Sequence, residues 1–361
     1  MSEGLPLGGA WRNVMAVLAY ELERSPAFSE RMDGMKLRFW MLGLAVFLAL
    51  GIVAAATTYY IDDNSNDGDV YTPDYTGNDS NDGLSPSSPK LTINNLLAAT
   101  NLLPGDVVLI DTGTYTDNVV IGVSVNGTAT NRIAFQGSPD TRPWGGGTTF
   151  NGSGDIFLIG GNYLDFRDIQ TVGGSSGFNL SAASHNEFER IYLISTSSHS
   201  LRSSGASNSN AFRHCVFHST GAAAHALYAP AKGSYIENCV SWSVNSLAIG
   251  GGEGAISNIV NSILMGSPIL GVAALSPAMN ASHNILLPIS GSNVHSTEEN
   301  LAGLQRANSN WYNNTVADPK FANAEGMDFH LLSAAGFVSN GVWVTNPAVG
   351  YSPAIDFGAR E

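Results

Sequence analysis

Between residues 164 and 286, apolar and polar positions return in one short pattern. The units read LDFRDI (164–169), NEFERI (186–191), NAFRHC (210–215), SYIENC (234–239), SNIVNS (257–262) and NASHNI (280–285). Counted at their third positions, Phe166, Phe188, Phe212, Ile236, Ile259 and Ser282, they stand 22, 24, 24, 23 and 23 residues apart. A near-constant period of this size is the mark of a solenoid, in which a repeat buries its apolar face only by stacking on its neighbours. Within each unit the alternation has period two and continues into runs such as Cys-Val-Phe or Ile-Tyr-Leu. That predicts strands, and no unit has the length or the i, i+3, i+4 spacing of a helix. The predicted fold class is all-β, a parallel β-solenoid.

Stacked coils place equivalent residues about 4.8 Å apart, so the columns can be read from the sequence. Arg167, Glu189, Arg213 and Glu237 form a column of alternating charge, favourable by roughly 0.2 to 1 kcal/mol per pair. The next column is expected to end Asn238, Asn261, Asn284, an asparagine ladder at a corner, because Asn tolerates the left-handed backbone. The column after that, Ile169, Ile191, Cys215, Cys239, Ser262 and Ile285, is expected to face the core. Cys215 and Cys239 then sit within disulfide range in adjacent coils, either bridged or packed as buried thiols.

Outside the repeats, residues 92–103 (TINNLLAATNLL) have Ile93, Leu96, Leu97 and Leu103 on one helical face and end at Pro104-Gly105. A capping helix over the open end of the core is expected there. The period is lost from 291 to 310, where 296–305 reads as a short helical excursion. The expected organisation is a leader or misassigned start (1–34), a signal peptide or membrane anchor (35–56), an Asp/Asn-rich loop with the capping helix (57–104), the β-helix (105–316) and a closing segment (317–361).

Composition narrows the function. The chain has 361 residues, 43% of them hydrophobic and 13% charged, 40 glycines and a net charge of −14. That is a folded, turn-rich β protein, and it lacks the basic stripe that nucleic acid requires. The acidity also disfavours polyanionic glycans unless a cation bridges the charges. An apolar run of about 18 residues follows Lys36 and Arg38 and ends Val53-Ala54-Ala55-Ala56, a small-residue cleavage site. A cleaved signal is favoured over a retained anchor, placing the protein outside the cell or at its surface, with membrane contact only through this segment if uncleaved.

The run GNDSNDGLSPSSPKLTINNLL (77–97) with LLPGDVVLIDTGTYTDNVVI (102–121), and the tail DPKFANAEGMDFHLLS (318–333) with WVTNPAVGYSPAIDFG (343–358), resemble the two ends of secreted right-handed parallel β-helix proteins of the pectate-lyase-like superfamily. The resemblance covers roughly residues 57 to 358. It implies a single-stranded right-handed β-helix and a polysaccharide or cell-surface glycan as partner, with chemistry on the outer face of one sheet.

The residues themselves give less. Glycoside hydrolysis needs two carboxylates about 5 Å, or 6.5 to 9.5 Å, apart, and no Asp-Asp pair occurs between 155 and 310. By alternation, Arg202, Tyr228, His225 and Glu253 are expected to meet on one face over three coils, and a Tyr or His base beside an Arg suits a lyase. Asp63, Asp67, Asp69 and Asp74 fall near the offsets of a calcium loop, the candidate Ca²⁺ site. His214 and His218 are expected at the polar surface, and the stacked Asp165 and Glu187 to be neutralised by Arg190. Two readings follow: a polysaccharide lyase or hydrolase, or a non-catalytic surface or adhesive β-helix module of a cell-envelope protein.

Overall fold

Phe135, Phe166, Phe188 and Phe212 stack ring on ring, with successive centroids 5.1, 5.2 and 4.8 Å apart. Their strands pair in parallel register, one coil above the next. The structure, a computed structural model, describes residues 55–139, 147–195, 197–204, 207–222, 224–228, 233–250, 256–267, 280–289, 301, 311–319, 321–323, 328–331, 337–339 and 342–344. The expected leader, most of the signal or anchor segment, nearly all of the 291–310 excursion and Glu253 lie outside the described residues. Among the described residues, no helix is long and apolar enough to cross a membrane.

Three parallel sheets run along the solenoid, of ten, nine and six strands among the described residues. The ten-strand sheet begins at Thr58–Ile61, ahead of residue 105, and ends at Trp311–Tyr312. Its inward positions are Val108, Phe135, Phe166, Phe188, Phe212, Ile236, Ile259, Ala281 and Trp311, all buried. Phe150, Phe157 and Phe178 close the core from the other two sheets. Strands Phe321–Asn323 and Asp328–Leu331 pair antiparallel, as do Phe337–Ser339 and Val342–Val344.

Among the described residues, left-handed residues flank the repeat strands of the ten-strand sheet. Tyr163, His185 and Ser209 precede the strands, and Asp168, Arg190, His214, Asn238, Asn261, His283 and Asn313 follow them, all with φ between 49° and 58°. A non-glycine residue there costs roughly 1–2 kcal/mol. Contacts between coils offset it: Tyr163 stacks on His185 at 4.9 Å, Arg190 donates to both oxygens of Asp168 at 2.7 and 2.8 Å, and Asn238 lies 3.3 Å from the His214 ring nitrogen. Asn238 and Asn261 therefore sit at the expected corner.

Asn284 does not. The register pairs Ile259 with Ala281 and Val260 with Ser282, so the last step is one residue shorter than expected and His283 takes the corner. Asn284 enters the inward column in place of Ile285, which instead pairs with Ile263 in the nine-strand sheet. A buried Asn is tolerated because Asn284 is hydrogen-bonded on both sides: its Oδ1 accepts from Ser262 N at 2.9 Å and its Nδ2 donates to Ile259 O at 2.9 Å. Asn186 and Asn210 form a comparable ladder in a different column, ahead of their strands, with Asn186 N donating to Asn210 Oδ1 at 2.9 Å.

The charge column has the expected register: Arg167 pairs with Glu189, Glu189 with Arg213, and Arg213 with Glu237. Asp165 and Glu187 are neutralised by Arg167 and Arg132, at 2.5 and 2.9 Å, while Arg190 turns to Asp168 and Glu189. Cys215 and Cys239 are free, buried thiols, with Cys215 N donating to Cys239 Sγ at 3.4 Å. His218 is also buried, against Trp242 at 4.4 Å, because it points outward from the nine-strand sheet into an apolar stripe that includes Tyr192, Ile194 and Val216. His214 alone of that pair is exposed.

The amino-terminal segment closes the first coil. Helix Ile93–Ala99 starts at the N-cap Thr92, whose side chain accepts from Asn95 N. It ends four residues before the expected limit, so Leu102 and not Leu103 is buried. Asn94 takes the backbone of the first strand in the six-strand sheet, accepting from Val120 N at 3.0 Å and donating to Asn118 O at 2.7 Å. Asp63 accepts from Thr114 N, the first strand of the nine-strand sheet, at 2.9 Å. Lys90 and Gly83 bond the backbone of Tyr60 on the ten-strand sheet. All three edges thus have partners.

Candidate functional site

Two clusters of titratable groups stand out among the described residues. The first lies on the outer face of the six-strand sheet. Phe157, Phe178, Leu201, Leu227 and Ile249 point inward and are fully buried. The alternate positions form one outward column, Leu158, Asn179, Arg202, Tyr228 and Gly250, each paired with the next in register.

Arg202 leans back over two coils and donates to Asp155 Oδ2 at 3.1 Å. The same oxygen accepts from Asn179 Nδ2 at 2.7 Å, which pins Asn179 beneath the arginine. On the other side of Arg202 three rings meet: His199 stacks on Tyr228 at 4.3 Å and on His225 at 5.1 Å, and His225 lies 5.5 Å from Tyr228. His225 N donates to His199 Nδ1 at 3.0 Å, and His225 Nδ1 is 2.8 Å from Ser246 Oγ. The ring of His225 lies over Gly250, where an added Cβ would come within 2.4 Å of it. Only glycine leaves room for that ring.

Burial lowers both histidines. His199 falls to about 4, chiefly by desolvation and secondarily through His225, and His225 falls for the first of these reasons. Both imidazoles are therefore neutral at pH 7 and can accept a proton. Three of the four expected catalytic residues, Arg202, Tyr228 and His225, thus share one face, and Glu253 lies outside the described residues. Sequence reasoning missed His199 and Asp155. The segments HSLR (199–202) and HALY (225–228) repeat one coil apart and place a His two residues before each inward Leu, a signal that alternation alone does not use.

The second cluster lies beneath the amino-terminal segment. Strands Thr58–Ile61 and Val107–Ile110 pair through Ile61 and Ile110, and each is followed by an aspartate, so Asp62 and Asp111 stack. Asp69 joins them from the loop, and carboxylate oxygens of the three lie within 4.8 Å of one another. Of the expected calcium set only Asp69 takes part. Asp63 spends its two oxygens on Ser65 N and Thr114 N, at 2.7 and 2.9 Å, and Asp67 and Asp74 are exposed. Asp62 is raised to about 8 and Asp69 to about 6, first by burial and then by neighbouring aspartates.

No protein-family model and no curated protein matches the chain. Among solved structures the fold is similar to that of pectate lyase Pel9A, with a TM-score of 0.48 and 17% identity over 65% of this chain and 64% of that one. It is similar to a rhamnogalacturonan lyase, with a TM-score of 0.45 and 16% identity over 83% and 98% of the two chains. A third likeness is to an alginate lyase from Paenibacillus sp., with a TM-score of 0.41 and 13% identity over 53% and 84%. The chain spans 64% of the length of the pectate lyase. By its own three-sheet topology, the chain is a parallel β-helix.

Proposed function

We propose that this chain is an exported, carbohydrate-active β-helix protein that cleaves an acidic polysaccharide by β-elimination on the outer face of its six-strand sheet. The observation that carries this reading is the meeting of Arg202 and Tyr228, neighbours in one register column, with two neutral imidazoles beside them. The basic-then-apolar segment at 35–56 supports export.

In this reading Arg202 faces the carboxylate of a uronic acid residue, and its positive charge makes the proton on the adjacent carbon more acidic. His225, its Nδ1 held by Ser246, takes that proton on Nε2. The electron pair of the broken C–H bond forms a C=C double bond as the glycosidic C–O bond breaks. Tyr228 donates its phenolic proton to the leaving oxygen. Asp155 and Asn179 orient the arginine.

The measurement is ultraviolet absorbance of the new double bond, with the purified chain incubated on a panel of acidic and neutral polysaccharides. Activity on a uronate polymer is expected, reduced about 10²- to 10⁴-fold in Arg202→Ala and Tyr228→Phe. It should fall on the acid side only below the ordinary imidazole range, because protonation disables the base. Silence across the panel overturns the reading. A second reading, a non-catalytic glycan-binding module, draws on the Arg202–Asp155 ion pair at 3.1 Å, which cancels the cation before a ligand arrives. It predicts binding without turnover.

A further inference from the structure

We infer that Asp62 and Asp69, backed by Asp111, form a buried Ca²⁺ site that fastens the amino-terminal segment to the first coil. Asp62 is fully buried, and neither of its carboxylate oxygens has a hydrogen-bond partner. Both oxygens of Asp69 are buried without partners as well. Four orphan carboxylate oxygens in one place are a large departure from the rule that buried acceptors are satisfied.

Asp111 is different, and the contrast defines the site. Its Oδ1 accepts from Val70 N and Thr112 N, at 2.7 and 2.8 Å. Its Oδ2 accepts from Tyr71 N, Thr72 N and Thr72 Oγ1, at 2.7, 2.5 and 2.9 Å. These bonds occupy both oxygens of Asp111 and wrap the loop after Asp69 around it. Asp111 thus sits beside two further carboxylates that form no salt bridge among the described residues.

A divalent cation resolves both problems at once. Hard oxygen donors in an all-carboxylate set suit Ca²⁺, which takes six to eight oxygens at about 2.3–2.6 Å and tolerates irregular geometry. Asp62 and Asp69 supply the free oxygens, Asp111 supplies charge and loop position, and backbone carbonyls and water complete the shell. Mg²⁺, which demands a near-octahedral shell rich in water, fits this irregular carboxylate set less well.

The test uses the full chain, stripped with a chelator and titrated with CaCl₂ in a calorimeter and in thermal melts. Binding is expected as a saturable heat with one site per chain. At Ca²⁺ about 100-fold above Kd the melting temperature should rise by about 5 °C or more. Asp62→Asn and Asp69→Asn should each weaken binding by more than the roughly 10- to 100-fold typical of changes to outer-shell groups, while the exposed Asp74→Asn leaves it unchanged. No Ca²⁺-dependent shift at millimolar concentration overturns the inference, as does a shift that persists in the double variant. Should the variants not fold, the calorimetric titration of the parent protein decides, and absence of saturable Ca²⁺ binding is negative.

Discussion

The ten-strand and six-strand sheets belong to the same coils, yet they treat their outward positions in opposite ways. On the ten-strand sheet the outward residues repeat, Arg167, Glu189, Arg213 and Glu237, each facing its opposite one coil away. A left-handed corner follows each of these four strands. On the six-strand sheet, strand length runs from six residues at Ser176–Ser181 to two at Leu227–Tyr228, and the outward column changes from Leu158 through Asn179, Arg202 and Tyr228 to Gly250. Charge there is gathered across coils instead of cancelled between neighbours. Repetition marks what holds a coil in place; departure from repetition marks where groups converge.

The largest effect that separates the two faces is expected from the core behind the ten-strand sheet. Phe188→Ala removes the ring that stacks on both Phe166 and Phe212 and should cost about 3–5 kcal/mol in chemical denaturation. At a temperature where the variant is still folded, turnover on the six-strand face should be retained; joint loss of both would mean that the faces are not separable. A smaller effect is expected at the corners. Asn238→Val puts a β-branched residue at φ 54° and should lose roughly 1–2 kcal/mol, whereas Asn238→Gly keeps the backbone relaxed and stays near the parent. Equal stability of the two variants would break the claim that the corner conformation matters. The smallest effect belongs to the charge column. Glu189→Arg places three cations in a row and breaks contacts with Arg167 at 3.8 Å and Arg190 at 2.5 Å. All three side chains are partly exposed, so roughly 1 kcal/mol is expected, shrinking with added salt. A variant as stable as the parent at low salt would remove the column from the list of forces that set the register.

These residues also show what the sequence could tell. The Phe column, the alternating charges and the inward cysteines were legible because each repeats a chemical type at strand spacing. The slip at 280–285 came from treating burial as apolar: Ala281 is small, Asn284 is polar, and both face inward because the asparagine ladder satisfies the amide. Neutralisation of Asp165 and Glu187 was foreseen, but not by which arginines, since side-chain reach over a corner is not a property of spacing. Arg202, Tyr228 and His225 were found by alternation. His199 and Asp155 were not, because they approach from neighbouring turns of chain. The acidic trio was legible in part: the first two strands of the ten-strand sheet each close on Ile followed by Asp, which stacks Asp62 on Asp111. The calcium-loop offsets drew attention to Asp63, Asp67 and Asp74 instead, whereas the fold selects by depth.

The partnered edges of the first coil carry one more consequence. A stack of parallel strands is an open template, and a second molecule could continue it by adding its own coil, as fibres grow. Asn94, Asp63 and Lys90 occupy the backbone groups on which such growth would start. Removing this cover should therefore convert a discrete particle into a polymerising one, so that the segment governs the colloidal fate of the protein as well as its folding.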